Sequence, residues 1–294
     1  MKIGAMIPAQ EIGNDPIALK DFAQGAEELG FDHLLLTDHV LQINRADYPD
    51  AFSPYSIDDA FQEPFVTYGY LAAVTKKIEM STGILILPQR QAVLVAKQAA
   101  QVDFLSGGRL RLGIGVGWQE IEFEALGVPW KGRGKLCEEQ IEVMRGLWMN
   151  ELFEFEGEFH TVPKSGLNPN SIQKPIPIWF GGMSDAVAER TGRMGDGWIP
   201  VGTPESLKPQ FDIMYAAAEK AGRNPKDIGI ETIHGLKSPV GDEVITMDVC
   251  LDHAKLWVDA GGTHFTFGAL GLGYTSVDQH LKLAMEFKER LEAL

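Results

Sequence analysis

Short apolar runs alternate with segments of helical period eight times along this chain, and that count constrains its fold more than any single motif. The strand-like runs are Lys2–Pro8, His33–Thr37, Ile78–Leu87, Leu110–Val116, Ile176–Gly181, Gly197–Val201, Ile228–Leu236 and His264–Gly268. Helical spacing predicts Pro16–Leu29, Pro64–Thr75, Gln91–Leu105, Gly134–Asn150, Ser184–Met194, Pro204–Ala221, Met247–Ala260 and Val277–Leu291. Eight strands, each followed by a helix, are what an α/β fold of the (β/α)8 TIM-barrel type requires, and an open sheet is the less economical alternative. No low-complexity linker interrupts the 294 residues, so one domain over 1–294 is expected. One stretch breaks the alternation: about 151–175 holds a hairpin-like piece, Phe153–Val162 with Gly157 at its turn, and reads as an insertion.

Barrel active sites lie at the C-terminal ends of the strands, so chemistry is sought there. Strand two ends at Asp38-His39, two side chains that an extended backbone sends to opposite faces. A histidine there can donate a hydrogen bond or move a proton near neutral pH; a structural histidine is the plainer alternative. Strand four runs into Gly113-Ile114-Gly115-Val116-Gly117-Trp118. This is GxGxG and not GxGxxG, so it departs from the dinucleotide fingerprint. It reads as a close-approach surface for a planar ring system or, more plainly, as an easing of barrel packing. Between strand five and its helix lies Gly181-Gly182-Met183-Ser184-Asp185, where free N–H groups and the helix dipole favour a phosphate; a simple cap by Ser184 is the alternative.

Trp118, Trp130, Trp179 and Trp198 all fall near the expected mouth and fit an apolar pocket for a flat ligand. Glu120 and Glu122 could supply acid–base function but are expected to face solvent on a helix, and His160, His253 and His280 are expected to lie at the surface. The substrate-selecting loops are expected to be Val40–Glu63, Glu151–Lys174 and Gly235–Thr246.

Other classes are excluded by composition and spacing. A net charge of −15 argues against nucleic acid and anionic lipid as partners. No apolar run reaches the length of a membrane span. MKIGAMIPAQ runs straight into a strand without a leader pattern, so a soluble, cytoplasmic protein is expected. Cys137 and Cys250 form no CxxC, the histidines show no HxxxH or HExxH, and no GxSxG occurs. Neither a metal site nor a serine or cysteine nucleophile is expected.

Five segments in order then carry a family signal: GFDHLLLTDHV (Gly30–Val40), TGILILPQR (Thr82–Arg90), VAKQAAQVDFLSGGRLRLGIGVGW (Val95–Trp118), FEALGVPW (Phe123–Trp130) and PIWFGGMSDAVAERTGRMGDGW (Pro177–Trp198). Together they resemble the bacterial luciferase-like superfamily, most of all its branch dependent on the deazaflavin coenzyme F420. The resemblance implies a barrel holding F420 or FMN at its C-terminal mouth. It implies a cis peptide at Gly83-Ile84, in a strand-three bulge behind the ring, with Thr82, Gly83 and Ile84 beside the cofactor. Asp38 and His39 match the catalytic Asp-His pair of F420 enzymes, Gly115, Val116 and Gly117 the wall along ring and side chain, and Gly181, Gly182 and Ser184 the phosphate turn. Trp118 stands where F420-dependent sugar-phosphate dehydrogenases carry an acid, which argues against that substrate while leaving Trp118 at the cofactor. The expected activity is F420-dependent hydride transfer to or from a small organic substrate. The alternative is an FMNH2-dependent monooxygenase using O2 and a partner reductase, and a non-catalytic flavin-binding barrel is the third reading. The family also implies a homodimer.

Overall fold

The structure is a computed structural model that describes residues 1–51, 53–237 and 243–293. In its first half β1 (Lys2–Met6) is followed by α1 (Ala9–Ile12), α2 (Pro16–Glu28), β2 (His33–Leu36), α3 (Pro64–Val74), β3 (Glu79–Thr82), β4 (Leu85–Ile86) and α4 (Ala92–Ser106). Next come β5 (Leu110–Gly115), α5 (Glu120–Ala125), α6 (Arg133–Met149), β6 (Phe153–Glu156) and β7 (Thr161–Ser165). The second half comprises β8 (Ile178–Gly181), α7 (Asp185–Met194), β9 (Gly197–Ile199), α8 (Lys208–Lys220), β10 (Gly229–Gly235), α9 (Met247–Asp259), β11 (His264–Gly268) and α10 (Val277–Glu292). Parallel pairing runs β3-β2-β1-β11-β10-β9-β8-β5, and β5 pairs back with β3, closing an eight-stranded barrel. The β6–β7 pair is antiparallel and forms the small separate sheet of the insertion.

The strands are legible as apolar runs because both of their faces are covered. All four residues of β2 and all six of β5 are buried. Helix starts follow local capping chemistry: Asp15 accepts from Ile17 N before Pro16, Glu63 accepts from Val66 N before Pro64, and Thr246 and Ser276 cap α9 and α10. One helix start differs by more than one residue from the sequence expectation. Helix α8 starts at Lys208 and not at Pro204, because Thr203 and Ser206 bond each other reciprocally (Thr203 N to Ser206 Oγ, 3.0 Å; Ser206 N to Thr203 Oγ1, 3.2 Å) and hold a separate turn.

The third barrel strand is not continuous either. Ser81 stands opposite Arg111, and Leu85 opposite Ile114, so four steps on this side face three on β5. The extra residue is a β-bulge. It contains the Gly83-Ile84 peptide, which is cis.

Polar side chains fill the N-terminal end of the barrel. Glu231 lies at the centre with a fully buried side chain. Its Oε1 is 2.7 Å from His33 Nε2 and its Oε2 2.5 Å from Arg111 Nη1, while Thr266 Oγ1 donates to Oε1 at 2.6 Å. Arg111 also donates to Glu79 at 2.6 Å and stacks over Trp179 at 4.2 Å. The Trp179 ring covers the positions where Gly197 and Gly229 open β9 and β10, and it meets His264, the first residue of β11. Trp179 therefore belongs to the floor and not to the mouth where sequence position had placed it.

Candidate active site

At the opposite end, Asp38 and His39, which follow Thr37 beyond β2, diverge as alternation requires. Asp38 turns into the protein, with its side chain 1% exposed. Its carboxylate accepts two bonds from Arg90 Nη2, at 2.9 and 3.1 Å, and one from Ile86 N at 3.3 Å. Burial pushes the Asp38 carboxyl up, with Arg90 and the Ile86 N–H acting against it. Arg90 also donates to Glu63 at 2.8 Å, so Asp38 indirectly secures the far end of the loop 40–63.

His39 faces the other way, into an aromatic enclosure. Phe61 lies 4.9 Å, Trp118 5.3 Å and Tyr55 5.5 Å from its ring centroid, and Tyr55 and Phe61 pack on each other at 4.8 Å. Trp118 is 41% exposed, so it forms a rim and not an inner wall. Below the ring lies Glu122, which overturns the expectation that this residue faces solvent: it is 1% exposed. Gly117 takes φ +78°, a left-handed turn that suits glycine, and the chain then enters α5 with Glu122 facing His39. Glu122 Oε2 is 3.2 Å from His39 Nδ1 and 3.4 Å from Gln89 Nε2. Its Oε1 accepts from Val40 N at 3.0 Å and Leu41 N at 3.4 Å.

The glycine run has a more specific role than openness to a ligand. A side chain at Gly113 would collide with the Thr82 carbonyl, one at Gly115 would reach within 2.9 Å of Ile84 Cγ2, and one at Gly181 would overlap the same Ile84 side chain. These glycines make room for the bulge, which carries Ile84 between β5 and β8. Ile84 is half-buried and presents an apolar surface, whereas Thr82 is fully buried and donates its hydroxyl to Gly113 O at 2.7 Å. Arg133 stacks on Trp130 at 3.5 Å and donates to the carbonyl of Val116 at 3.1 Å, holding the strand exit in place.

At the turn after β8, Gly182 has φ +123°, its N–H donates to Ile199 O at 3.2 Å, and its carbonyl accepts from Trp198 Nε1 at 2.7 Å. Ser184 caps α7 through Val187 N at 3.4 Å. Met183 and Ser184 are exposed and their N–H groups make no hydrogen bond among the described residues. The turn thus leaves N–H donors open to an anionic oxygen group, while Ser184 serves as the cap. A cofactor with a flat ring and a phosphate-bearing side chain fits this donor set: Ile84 would back the ring, residues 115–117 would line it, and the 182–184 turn would receive the phosphate.

Other candidates fall away from the mouth. His280 is buried and not at the surface, with Nε2 3.2 Å from Glu11 Oε2; His160 and His253 are half-buried. Burial pushes the thiols of Cys137 and Cys250 up to about 12, which leaves both protonated and unreactive near neutrality. Among the described residues no group of three His, Cys, Asp or Glu side chains could hold a metal, and no helix is long and apolar enough to cross a membrane. Of the three expected substrate loops, part of Gly235–Thr246 lies outside the described residues. Sequence reading named Glu122 but turned it to solvent, gave Gln89 no role, and missed Arg90, Tyr55 and Phe61.

Comparison with known proteins agrees with this geometry. The sequence profile of the luciferase-like monooxygenase family matches residues 1–234. An uncharacterized protein of Mycobacterium tuberculosis is 36% identical over 221 residues, covering 72% of this chain and 76% of its own. The FMNH2-dependent dimethylsulfone monooxygenase of Pseudomonas putida is 32% identical over 216 residues, covering 72% of this chain and 56% of that enzyme. The structure of an F420-dependent secondary alcohol dehydrogenase in complex with an F420-acetone adduct superimposes with a TM-score of 0.79 at 19% identity, covering 99% of this chain and 98% of that one. The chain belongs to the luciferase-like monooxygenase family.

Proposed function

We propose that the protein is an F420-dependent oxidoreductase that transfers a hydride to or from a small, uncharged organic substrate. The observation that carries this reading is His39: one ring nitrogen rests on a buried carboxylate, and three aromatic rings enclose the imidazole at the barrel mouth. The cofactor would supply the two-electron chemistry, while the barrel orients the reacting faces and excludes water. His39 would hold or move the proton at the reacting oxygen of the substrate, through Nε2, which has no partner among the described residues. Tyr55, Phe61 and Trp118, which surround His39, favour an apolar substrate.

A second reading is favoured by the Pseudomonas putida relative: an FMNH2-dependent monooxygenase supplied by a partner flavin reductase. Both readings place the same residues at the mouth and carry the expectation of a homodimer. The purified protein is titrated with F420 and with FMN, and each reduced form is then tested for turnover on small alcohols, ketones and sulfones with and without O2. Tight binding of F420 and O2-independent turnover are expected. Oxygen-dependent product from FMNH2, with no turnover on F420, would overturn the first reading in favour of the second.

A further inference from the structure

We propose that Glu122 is a positioning residue that fixes the tautomer of His39 and joins it to the start of the loop 40–63. The proposal rests on His39 being the proton-handling group, but its test does not. Glu122 has four neighbouring donor positions: Val40 N, Leu41 N, Gln89 Nε2 and His39 Nδ1. A carboxylate that meets N–H donors on both oxygens acts as an acceptor throughout, so the proton shared with His39 sits on Nδ1. In the neutral ring this leaves Nε2 without a proton and able to accept one. The same arrangement of carboxylate, imidazole and acceptor nitrogen orients general bases in hydrolases, where the carboxylate holds ring and tautomer without itself reacting.

Two further features separate this arrangement from a chance contact. Glu122 is 1% exposed on a six-residue helix, a position where an acid costs stability unless every lone pair finds a donor. And both N–H groups bound by Oε1 belong to the two residues directly after His39, so backbone and ring are held by one carboxylate. Movement of the loop that carries Tyr55 and Phe61 would therefore pull on the ring that those residues enclose.

Glu122→Gln is the informative variant, because its amide oxygen can still accept from Val40 N and Leu41 N. Its NH2 then faces His39 Nδ1, which must become the acceptor, and the ring proton moves to Nε2. The readout is the 15N spectrum of histidine-labelled full-length protein at alkaline pH, where neutral rings are seen, with the His39 signals assigned by their loss in His39→Gln. In the wild type the spectrum is expected to show protonated Nδ1 and bare Nε2; in Glu122→Gln the two should exchange while the other six histidines stay in place. FMN and F420 titrations of Glu122→Gln should give dissociation constants within about twofold of wild type, since Glu122 is buried and bonded to His39, Gln89 and the loop backbone. A wild-type spectrum with the proton on Nε2 overturns the proposal, and that result is available even if the variant does not fold. An unchanged tautomer in a folded Glu122→Gln also overturns it. Full turnover in His39→Gln would instead refute the proton-handling role of His39 and leave the tautomer result standing.

Discussion

Replacing Glu231 by glutamine tests what the floor of the barrel does. The substitution keeps the volume and removes one charge from a network in which the Glu231 and His33 side chains are fully buried and Arg111 nearly so. Arg111 would retain only Glu79, whose side chain is 28% exposed, and His33 and Thr266 would face an amide in place of a carboxylate. Breaking a buried pair by removing one partner costs about 3–5 kcal/mol, because the remaining charge stays buried. Unfolding entropy of about 2.1 cal/mol/K per residue amounts to about 0.6 kcal/mol/K for a chain of 294 residues, so the loss corresponds to a Tm lower by about 5–8 °C. Calorimetry and far-UV circular dichroism on wild type, Glu231→Gln, Arg111→Met and the double variant measure it. The double variant should lose clearly less than the two singles together, since each single strands a charge that the double removes.

The pH dependence has a definite sign. Burial alone would raise the Glu231 carboxyl, but Arg111 and His33 overcome it and hold the group well below 4.5. A carboxyl with a depressed folded-state value stabilises above its unfolded value and loses that contribution as pH falls through the folded one. The Tm gap between wild type and Glu231→Gln should therefore be constant from neutrality down to about pH 5 and close only in stronger acid. A loss below about 1 kcal/mol, strict additivity in the double variant, or a gap that closes near neutrality would each refute this account of the floor.

Three more outcomes test the mouth and its surroundings. His39→Gln should lower kcat by about 10²–10⁴-fold while leaving cofactor affinity nearly unchanged, read from stopped-flow turnover and from titration. Gly181→Val would drive a side chain into the space of Ile84; a stability loss of about 1–3 kcal/mol in a thermal melt and weakened cofactor binding are expected. With both thiols buried and pushed up to about 12, the native protein should not react with Ellman's reagent at pH 8, whereas the denatured chain should titrate both Cys137 and Cys250.

How far the chain could be read depended on whether a feature is set locally or by closure of the barrel. His264–Gly268 was read with its observed limits, because an apolar run between a glycine turn and a helix cap needs no distant information. The run Ile84–Leu87 is just as apolar, yet the strand breaks there; the bulge arises from a register difference against β5, and nothing within the run encodes its partner's count. The inward orientation of Glu122 escaped for a similar reason. A helix of six residues has no second turn in which to display a period, so its three acids look alike until His39 and the amides of Val40 and Leu41 are brought above one of them. Asp38-His39 was the opposite case, legible because alternation alone splits an adjacent pair. What alternation could not supply was the use of each half: Asp38, through Arg90 and Glu63, holds the end of the loop 40–63, while His39 and Glu122 hold its start. The loop 40–63 is thus tied at both ends to the Asp38-His39 pair beyond β2, which explains why a segment with no helix or strand among its described residues can keep Tyr55 and Phe61 in ring contact with His39.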